Sequence, residues 1–443
     1  MFATVLAYDR AVAADPQIVP TAATEADRLA RLNALLEHAA EHSPFQRERL
    51  RGHLPLAGLA DLRALPRTSK QDLVDDQAAH PPFGTNLTRP LDRYTHLHQT
   101  SGTTGATLRV LDTPEDWAWW TRGLGAVFRA AGVGPGDRVA LAYSFGPYIH
   151  FWASYEGVKE VGAMVIALGG MESVQRLATL REYEATTLLC TPTYAVHLAK
   201  VAEQHDLTDA MRSIQRVVCT GEPGASIPSV RRRIQVGWGA RCFDHAGLSE
   251  VGPFGYPCDV AGGMHLREDE FVAEILHCES GEPVSDGAYG ELVVTALGRT
   301  GFPVVRYRTG DIVECHADPC PAGHPGRWLP QGILGRSDDM VVIRGMNVFP
   351  SAVEQILREF DGVGEFRITF YTEPSAMDEI KVEVELAHAT EARAIQARLR
   401  AGLGLRVRIV PLKPGILPAQ VGKARRVADL RPTRPPALRA DEG

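Results

Sequence analysis

Between Gln99 and Ala106 the chain reads Thr100-Ser101-Gly102-Thr103-Thr104-Gly105, a run of hydroxyls and glycines with no bulky side chain. Glycine lets backbone N–H groups approach an oxygen closely, and Ser/Thr hydroxyls add donors that need no net charge. Such a run can fold tightly around a polyanion. It follows a strand-like segment in which Tyr94, His96 and His98 alternate, as a phosphate loop should. It is not a Walker loop, because no Lys-Ser/Thr pair follows the second glycine. Taken alone, it reads equally well as a polar turn, so the decision falls to the rest of the chain.

The elements around it must supply the platform. A helix is expected near Glu25–His42, within a helical and irregular first 90 residues. From Arg138 short apolar runs alternate with amphipathic stretches: Val139–Ala142, Ala163–Ile166, Thr187–Cys190 and Val217–Cys219, with Ser173–Tyr183 and Thr193–Gln204 between them. This alternation predicts an α/β fold with a mostly parallel sheet flanked by helices, which binds ligands at the carboxyl ends of its strands. Ser144-Phe145-Gly146, Thr191-Pro192-Thr193, Thr220-Gly221-Glu222-Pro223-Gly224 and Asp244-His245-Ala246-Gly247 all lie just past such strands. They are placed to build one site. From about Glu270 the texture turns to alternating β segments, giving a β-rich subdomain (Phe271–Leu276, Glu291–Val294). A last α+β unit follows Asp338-Asp339: strand Met340–Ile343, helix Ser351–Phe360, strands Phe366–Tyr371 and Lys381–Leu386, helix Thr390–Leu403 and strand Val407–Pro411. The division is therefore 1–337, 338–430 and a flexible Pro/Arg-rich tail at 431–443.

Bulk properties narrow the field. The 443 residues are 44% hydrophobic and 23% charged, ordinary for a globular protein, with a formal charge of -7. The basic runs Arg231-Arg232-Arg233 and Lys423–Arg426 are short, so nucleic acid is not expected as a partner. The apolar runs are strand-sized, so no membrane span is expected. Met1–Val5 lacks the charged-then-apolar order of a signal peptide, and seven cysteines in so long a chain suggest reduced thiols. A cytoplasmic location is the expectation.

Four further motifs accompany the loop in order: Gly247-Leu248-Ser249-Glu250, Tyr307-Arg308-Thr309-Gly310-Asp311, Gly335-Arg336-Ser337-Asp338-Asp339 and Pro418-Ala419-Gln420-Val421-Gly422-Lys423. Together the five resemble the adenylate-forming superfamily of acyl- and aryl-CoA synthetases, and within it the phenylacetate-CoA ligase-like branch, over about residues 95–428. The resemblance implies a large N-terminal domain that binds ATP and the acyl substrate, and a small mobile C-terminal domain that carries a catalytic lysine. It implies ATP-dependent conversion of an aromatic carboxylic acid into an acyl-adenylate, then transfer to the thiol of coenzyme A. Thr100–Gly105 would hold the β- and γ-phosphates, and Glu250 would be the Mg²⁺ ligand and a catalytic group. Asp311 would take the ribose hydroxyls, and Arg336 would make a second ribose or phosphate contact. Gly221, Glu222 and Pro223, with Asp244, His245, Ala246 and Ser249, would complete the nucleotide site. Lys423 would bridge the substrate carboxylate and the α-phosphate, and Asp338 would be the hinge on which the C-terminal domain turns.

The chain departs from the family pattern at three places. Ala106-Thr107 stands where the family has Lys-Pro, with Arg109 as a candidate replacement charge. Ala246 replaces the usual aromatic before Gly247. Cys320-Pro321-Ala322-Gly323 replaces a Cys-Pro-Cys-Gly element. Cys258, His265, Cys315 and Cys320 form a candidate structural Zn²⁺ set, with His316 and His324 as competitors and ordinary buried thiols as the plain alternative. Phe145, Tyr148, His245, Ala246 and Gly247 are the candidate acyl-pocket residues, since aromatic walls with a few polar tips suit an aryl acid. Other readings remain open here. The adenylate could pass to a carrier-protein thiol or to an amine or hydroxyl acceptor, as in natural-product assembly. The chain could also be a degenerate nucleotide-binding member without chemistry. The resemblance makes a homodimer a reasonable expectation.

Overall fold

The structure, a computed structural model, describes residues 24–100, 107–317, 320–324, 326–337, 341–343, 346–373, 378–418 and 426–431. Helices α1 (Glu25–His42) and α2 (Pro44–Leu50) open it. Each starts on a hydroxyl cap: the side chains of Thr24 and Ser43 accept from the backbone N–H of Asp27 and Gln46. After α3 (Lys70–Ala79), the hairpin of β1 (His96–Gln99) and β2 (Arg109–Asp112) flanks the hydroxyl-glycine run on both sides. Helix α4 (Pro114–Ala130) begins on a capping box of Thr113 and Asp116, with proline at its first turn.

The central unit alternates strand and helix as the sequence pattern predicts. It runs β3 (Arg138–Leu141), α5 (Ile149–Glu160), β4 (Met164–Ala167), α6 (Ser173–Glu182), β5 (Thr187–Cys190), α7 (Pro192–Gln204), β6 (Arg216–Cys219), α8 (Pro228–Trp238) and β7 (Arg241–Asp244). The strands form one parallel sheet in the order β4-β3-β5-β6-β7. The middles of its strands are apolar because helices cover both faces, while Arg138, Arg216 and Arg241 stand at the strand starts. Val139, Leu141, Leu189, Val218 and Phe243 pack towards α4 and α5. Ala140, Leu188, Val217, Cys219 and Cys242 pack towards α6, α7 and α8. The chain leaves β3 for one neighbour and returns to pair β5 on its other side. That reversal opens a crevice beyond the carboxyl ends of β3 and β5, where such sheets take their ligands.

Eight strands follow: β8 (Ala246–Leu248), β9 (Gly252–Pro257), β10 (Met264–Leu266), β11 (Phe271–Leu276), β12 (Tyr289–Ala296), β13 (Tyr307–Glu314), β14 (Trp328–Leu329) and β15 (Ile333–Arg336). They make two antiparallel sheets, β14-β10-β9-β8 and β11-β12-β13-β15. The C-terminal unit holds the hairpin β16 (Val341–Ile343) and β17 (Met346–Val348), then α9 (Pro350–Leu357), β18 (Val363–Thr372), β19 (Asp378–Leu386), α10 (Glu391–Leu403), β20 (Arg408–Leu412) and β21 (Val427–Asp429). Its apolar core, from Val341 to Ile409, draws on no residue from the preceding sheets. The strand expected at Met340–Ile343 is β16, whereas its hairpin partner β17 and strand β21 were not anticipated. Strand β21 is three residues long and joins β18 in parallel, so nothing local in its sequence announces it. Met340 and residues 432–443 lie outside the described residues. Arg431, the first residue of the expected flexible tail, is held by ion pairs to Asp429 at 2.9 Å and Asp378 at 3.1 Å. Among the described residues no helix is long and apolar enough to cross a membrane.

Two elements far apart in sequence meet on a buried ion pair. Arg299, between β12 and β13, pairs with Asp112 at the end of β2 at 2.6 Å, and both side chains are fully buried. Burial pushes the Asp112 carboxyl up to about 6, against the pull of the guanidinium. Removing one partner of such a pair leaves the other uncompensated and typically costs about 3–5 kcal/mol, whereas replacing both is often neutral. Urea unfolding of Arg299→Leu is therefore expected to show a loss of that order, with Arg299→Leu/Asp112→Leu recovering most of it. Equal instability of the single and double variants would refute this account.

Candidate active site

The hydroxyl-glycine run is pinned at its base. Thr100 donates its N–H to the Leu108 carbonyl at 3.1 Å, and its hydroxyl accepts from the Leu108 N–H at 3.1 Å. Ser101, Gly102, Thr103, Thr104 and Gly105 lie outside the described residues. Gln99 N–H donates to the Pro147 carbonyl at 2.8 Å, which ties this hairpin to the loop that follows β3. Arg109, the candidate replacement charge, donates to the Pro82 carbonyl at 3.3 Å.

The loops after β5, β6 and β7 are stitched together by side chains. Glu222 accepts from the backbone N–H of Thr193 at 2.7 Å and from its hydroxyl at 2.5 Å. Gly221 takes a φ of +91°, which turns the chain sharply before Glu222 and Pro223. Asp244 accepts from the Ser226 N–H at 2.9 Å, and burial pushes its carboxyl up to about 7. His245, immediately after it, is buried, and burial pushes its imidazole down to about 3 with help from His150.

The Gly247–Glu250 motif sits where β8 meets β9. A Cβ at Gly247 would lie 2.9 Å from the Gly252 carbonyl oxygen, so only glycine lets these strands close. Ser249 accepts from Arg299 through its backbone carbonyl at 2.8 Å. Glu250 is buried and accepts from the Tyr307 hydroxyl at 2.9 Å. The same strand, β13, carries Asp311. Cross-strand register pairs Asp311 with Arg336 on β15, and the guanidinium reaches its carboxylate at 3.2 Å and the Thr309 carbonyl at 2.5 Å. Gly310 lies beneath that guanidinium with φ +73°, and a Cβ there would come within 2.6 Å of Arg336 Nη2.

A narrow crevice opens beside these groups, with about 20 Å³ of space for a water-sized sphere. Helices α4 and α5 supply Trp120, Leu124, Ile149, His150, Ala153 and Ser154 to its wall. Thr220, His245, Gly247, Leu248 and Pro253 complete it. Of the five candidate acyl-pocket residues, His245 and Gly247 line this crevice. Ala246 packs instead in the core, paired with Gly255 across β8 and β9. Phe145 and Tyr148 are 49% and 45% exposed, and Phe145 packs on Phe151, 4.5 Å between ring centroids. Ile149 and His150 fall in the aromatic-rich run Ser144–Trp152 that the sequence offers for an acyl pocket, whereas Trp120, Leu124, Ala153 and Ser154 were not singled out. Ser154 offered a signal, as a hydroxyl within an apolar helical stretch.

Away from this site, Cys258, His265 and Cys320 are buried and bring their ligand atoms within 4.8 Å of one another. The sulfurs of Cys258 and Cys320 are 3.8 Å apart, close to the separation of two thiolates about 2.3 Å from a tetrahedral zinc. Neither ring nitrogen of His265 has a hydrogen-bond partner among the described residues. Neither Cys315 nor His324 belongs to this close set. The His324 ring centroid is 5.7 Å from that of His265, and its Nε2 lies 3.5 Å from Asp259. Lys423 and Asp338 lie outside the described residues.

The Gly310 geometry gives a direct test. A non-glycine residue in the left-handed region costs about 1–2 kcal/mol. Gly310→Ala should therefore lower unfolding stability by about that amount, because the new Cβ meets the Arg336 guanidinium. An unchanged unfolding free energy would contradict it.

Comparison with known proteins agrees with this geometry. Residues 345–431 match the AMP-binding enzyme C-terminal domain family. The phenylacetate-coenzyme A ligase of Escherichia coli (strain K12) is 32% identical over 419 residues, covering 90% of this chain and 93% of that ligase. A crystal structure of 2-hydroxyisobutyryl-CoA ligase in the postadenylation state, in complex with R3-HIB-AMP, aligns with a TM-score of 0.86 at 30% identity, covering 94% of this chain and 91% of that one. The same ligase with 2-HIB-AMP and CoA in the thioesterification state aligns at 0.70, with 31% identity over 94% of this chain and 92% of that one. The chain belongs to the adenylate-forming enzymes, in the phenylacetate-coenzyme A ligase branch.

Proposed function

We propose that the chain is an AMP-forming acid–thiol ligase that activates an aromatic or similarly compact carboxylic acid and transfers it to coenzyme A. One observation carries the reading. Bonds run from the base of the Thr100 loop through Asp112 and Arg299 to Ser249, and Tyr307 holds the adjoining Glu250 from the strand that bears Asp311. Residues from three separate sheets are linked in this way, which supports reading them as one site.

The chemistry needs that arrangement. A carboxylate oxygen attacks the α-phosphorus of ATP, the bond to the β-phosphate bridging oxygen breaks, and pyrophosphate leaves with an acyl-adenylate formed. The coenzyme A thiol then loses its proton and attacks the acyl carbon, and AMP leaves with its electron pair. Two negative partners meet in the first step, so oriented donors and positive charge lower the barrier. The run Thr100–Gly105 supplies uncharged donors to the β- and γ-phosphates. Asp311, steadied by Arg336, accepts from the ribose hydroxyls. Tyr307 fixes one oxygen of Glu250, so the carboxylate is presented in a single orientation, as a hard-cation ligand requires. A bound Mg²⁺ would neutralise phosphate charge there. Lys423 supplies the charge between the carboxylate and the α-phosphate, and Asp338 is the hinge that exchanges adenylation and thiol-transfer arrangements of the C-terminal unit.

Loss of one aimed donor typically costs roughly 10²–10³ in rate. Lys423→Ala should lose pyrophosphate exchange by about that factor while converting supplied acyl-adenylate and coenzyme A to thioester within about tenfold of wild type. Exchange at the wild-type rate would remove Lys423 from this role. Thioester formation with a carrier protein but not with coenzyme A would shift the acceptor.

The buried cluster is proposed as a structural zinc site held by Cys258, His265 and Cys320, with Cys315 or His324 as the fourth donor. Burial pushes the His265 imidazole down to about 4, so it is neutral at ordinary pH, the form that binds metal. Protein purified without chelator should contain stoichiometric zinc by elemental analysis, and Cys258→Ser should lose it with a lower melting temperature. Zinc-free wild-type protein of full stability would rule the site out.

A further inference from the structure

His245 is buried at the end of β7, and neither Nδ1 nor Nε2 has a hydrogen-bond partner among the described residues. Its ring faces the crevice between Trp120, Leu124 and Ala153, with Ser154 and Thr220 on the same wall. Phe128 presents its edge at 6.2 Å between centroids, which is a packing contact and satisfies neither nitrogen. A neutral imidazole carries one N–H donor and one lone-pair acceptor, and burying both unmet costs free energy that a leucine or isoleucine in the same place would avoid. The other buried histidine with two unmet nitrogens, His265, stands in the cysteine cluster, so its ligand is already indicated. Nothing of that kind explains His245.

We infer that His245 is a specificity-determining residue, and that the acid this site selects bears a hydroxyl group which donates to one ring nitrogen or accepts from the other. A hydroxyl can do either with a neutral ring, and it is small enough for a narrow crevice. The imidazole is held neutral by its burial beside His150, so a second carboxylate on the substrate would find no counter-charge there. The crevice is narrow as it stands, which favours a compact acyl group whose hydroxyl reaches the histidine over a long unsubstituted chain. This inference rests on the ligase reading and adds to it the class of substrate.

Pyrophosphate exchange with matched acids tests it: 3-hydroxybenzoate against benzoate, 4-hydroxyphenylacetate against phenylacetate, mandelate against phenylacetate, and 2-hydroxyisobutyrate against isobutyrate. A site built to bond a hydroxyl can reject the analogue lacking it by roughly 10⁴–10⁵, while a purely apolar pocket separates such pairs by only about 10² or less. Wild-type enzyme should favour the hydroxylated member of at least one pair by more than about 10²-fold in kcat/KM. His245→Leu should bring that ratio, taken between the two acids within the variant, below about tenfold. His245→Gln, which keeps a donor and an acceptor, should retain part of the preference and serves if the leucine variant folds poorly. Preference for the unsubstituted acids by wild type, or a ratio unchanged in both variants, overturns the assignment of His245 and leaves the ligase reading standing. Absence of exchange with every acid overturns the ligase reading and this inference with it.

Discussion

The contact between Arg299 and Asp112 is the constraint on which the site depends. One guanidinium neutralises the carboxylate at the end of β2 and also donates to the carbonyl of Ser249, directly before Glu250. The phosphate hairpin and the Gly247–Glu250 motif are separated by more than a hundred residues, yet they share this single buried group. Apolar residues could fill the same volume, because ion pairs in a protein interior contribute little net stability. They could not also fix the Ser249 carbonyl. The pair is better understood as a spacer of defined length and direction than as a source of stability.

Above that anchor, burial sorts the ionisable groups. Asp244 and His245 are consecutive, and the same apolar surroundings push the acid up to about 7 and the base down to about 3. Both changes favour the uncharged form. His245, on the crevice wall, is therefore uncharged near neutrality, while Asp244 behind it sits close to its midpoint.

The fold was legible where burial leaves a local pattern. The four apolar runs from Val139 to Cys219 became β3 to β6 within a residue or so, because strands covered on both faces read as unbroken apolar segments. Strand β21 escaped because its only reason to be a strand is β18, far away in sequence. Within the site, motif glycines were readable as motifs but their physical causes were not. Gly310 underlies Arg336, and Gly247 clears the Gly252 carbonyl, contacts that exist only after the sheets assemble. The aromatic run after β3 was legible as apolar, yet which rings face the crevice depends on how α5 rotates. Ile149 and His150 turn inwards, while Tyr148 remains at the surface. Arg299 carried a faint signal, a lone charge between Ala296 and Phe302, that composition alone could not convert into a role.

Strand β21 has a mechanical consequence. The segment that bears Lys423 is tethered at both ends: Leu417 donates its N–H to Glu385 at 2.7 Å, and Arg426 accepts from the Ile368 N–H at 2.7 Å through its carbonyl. Nine peptide steps separate the two anchors (426 − 417), and a chain advances at most about 3.5 Å per residue. Lys423 is three residues from Arg426, so its backbone can lie no further than roughly 11 Å from that anchor. The lysine cannot be paid out on a long leash, and any large displacement of it requires displacement of the C-terminal unit itself.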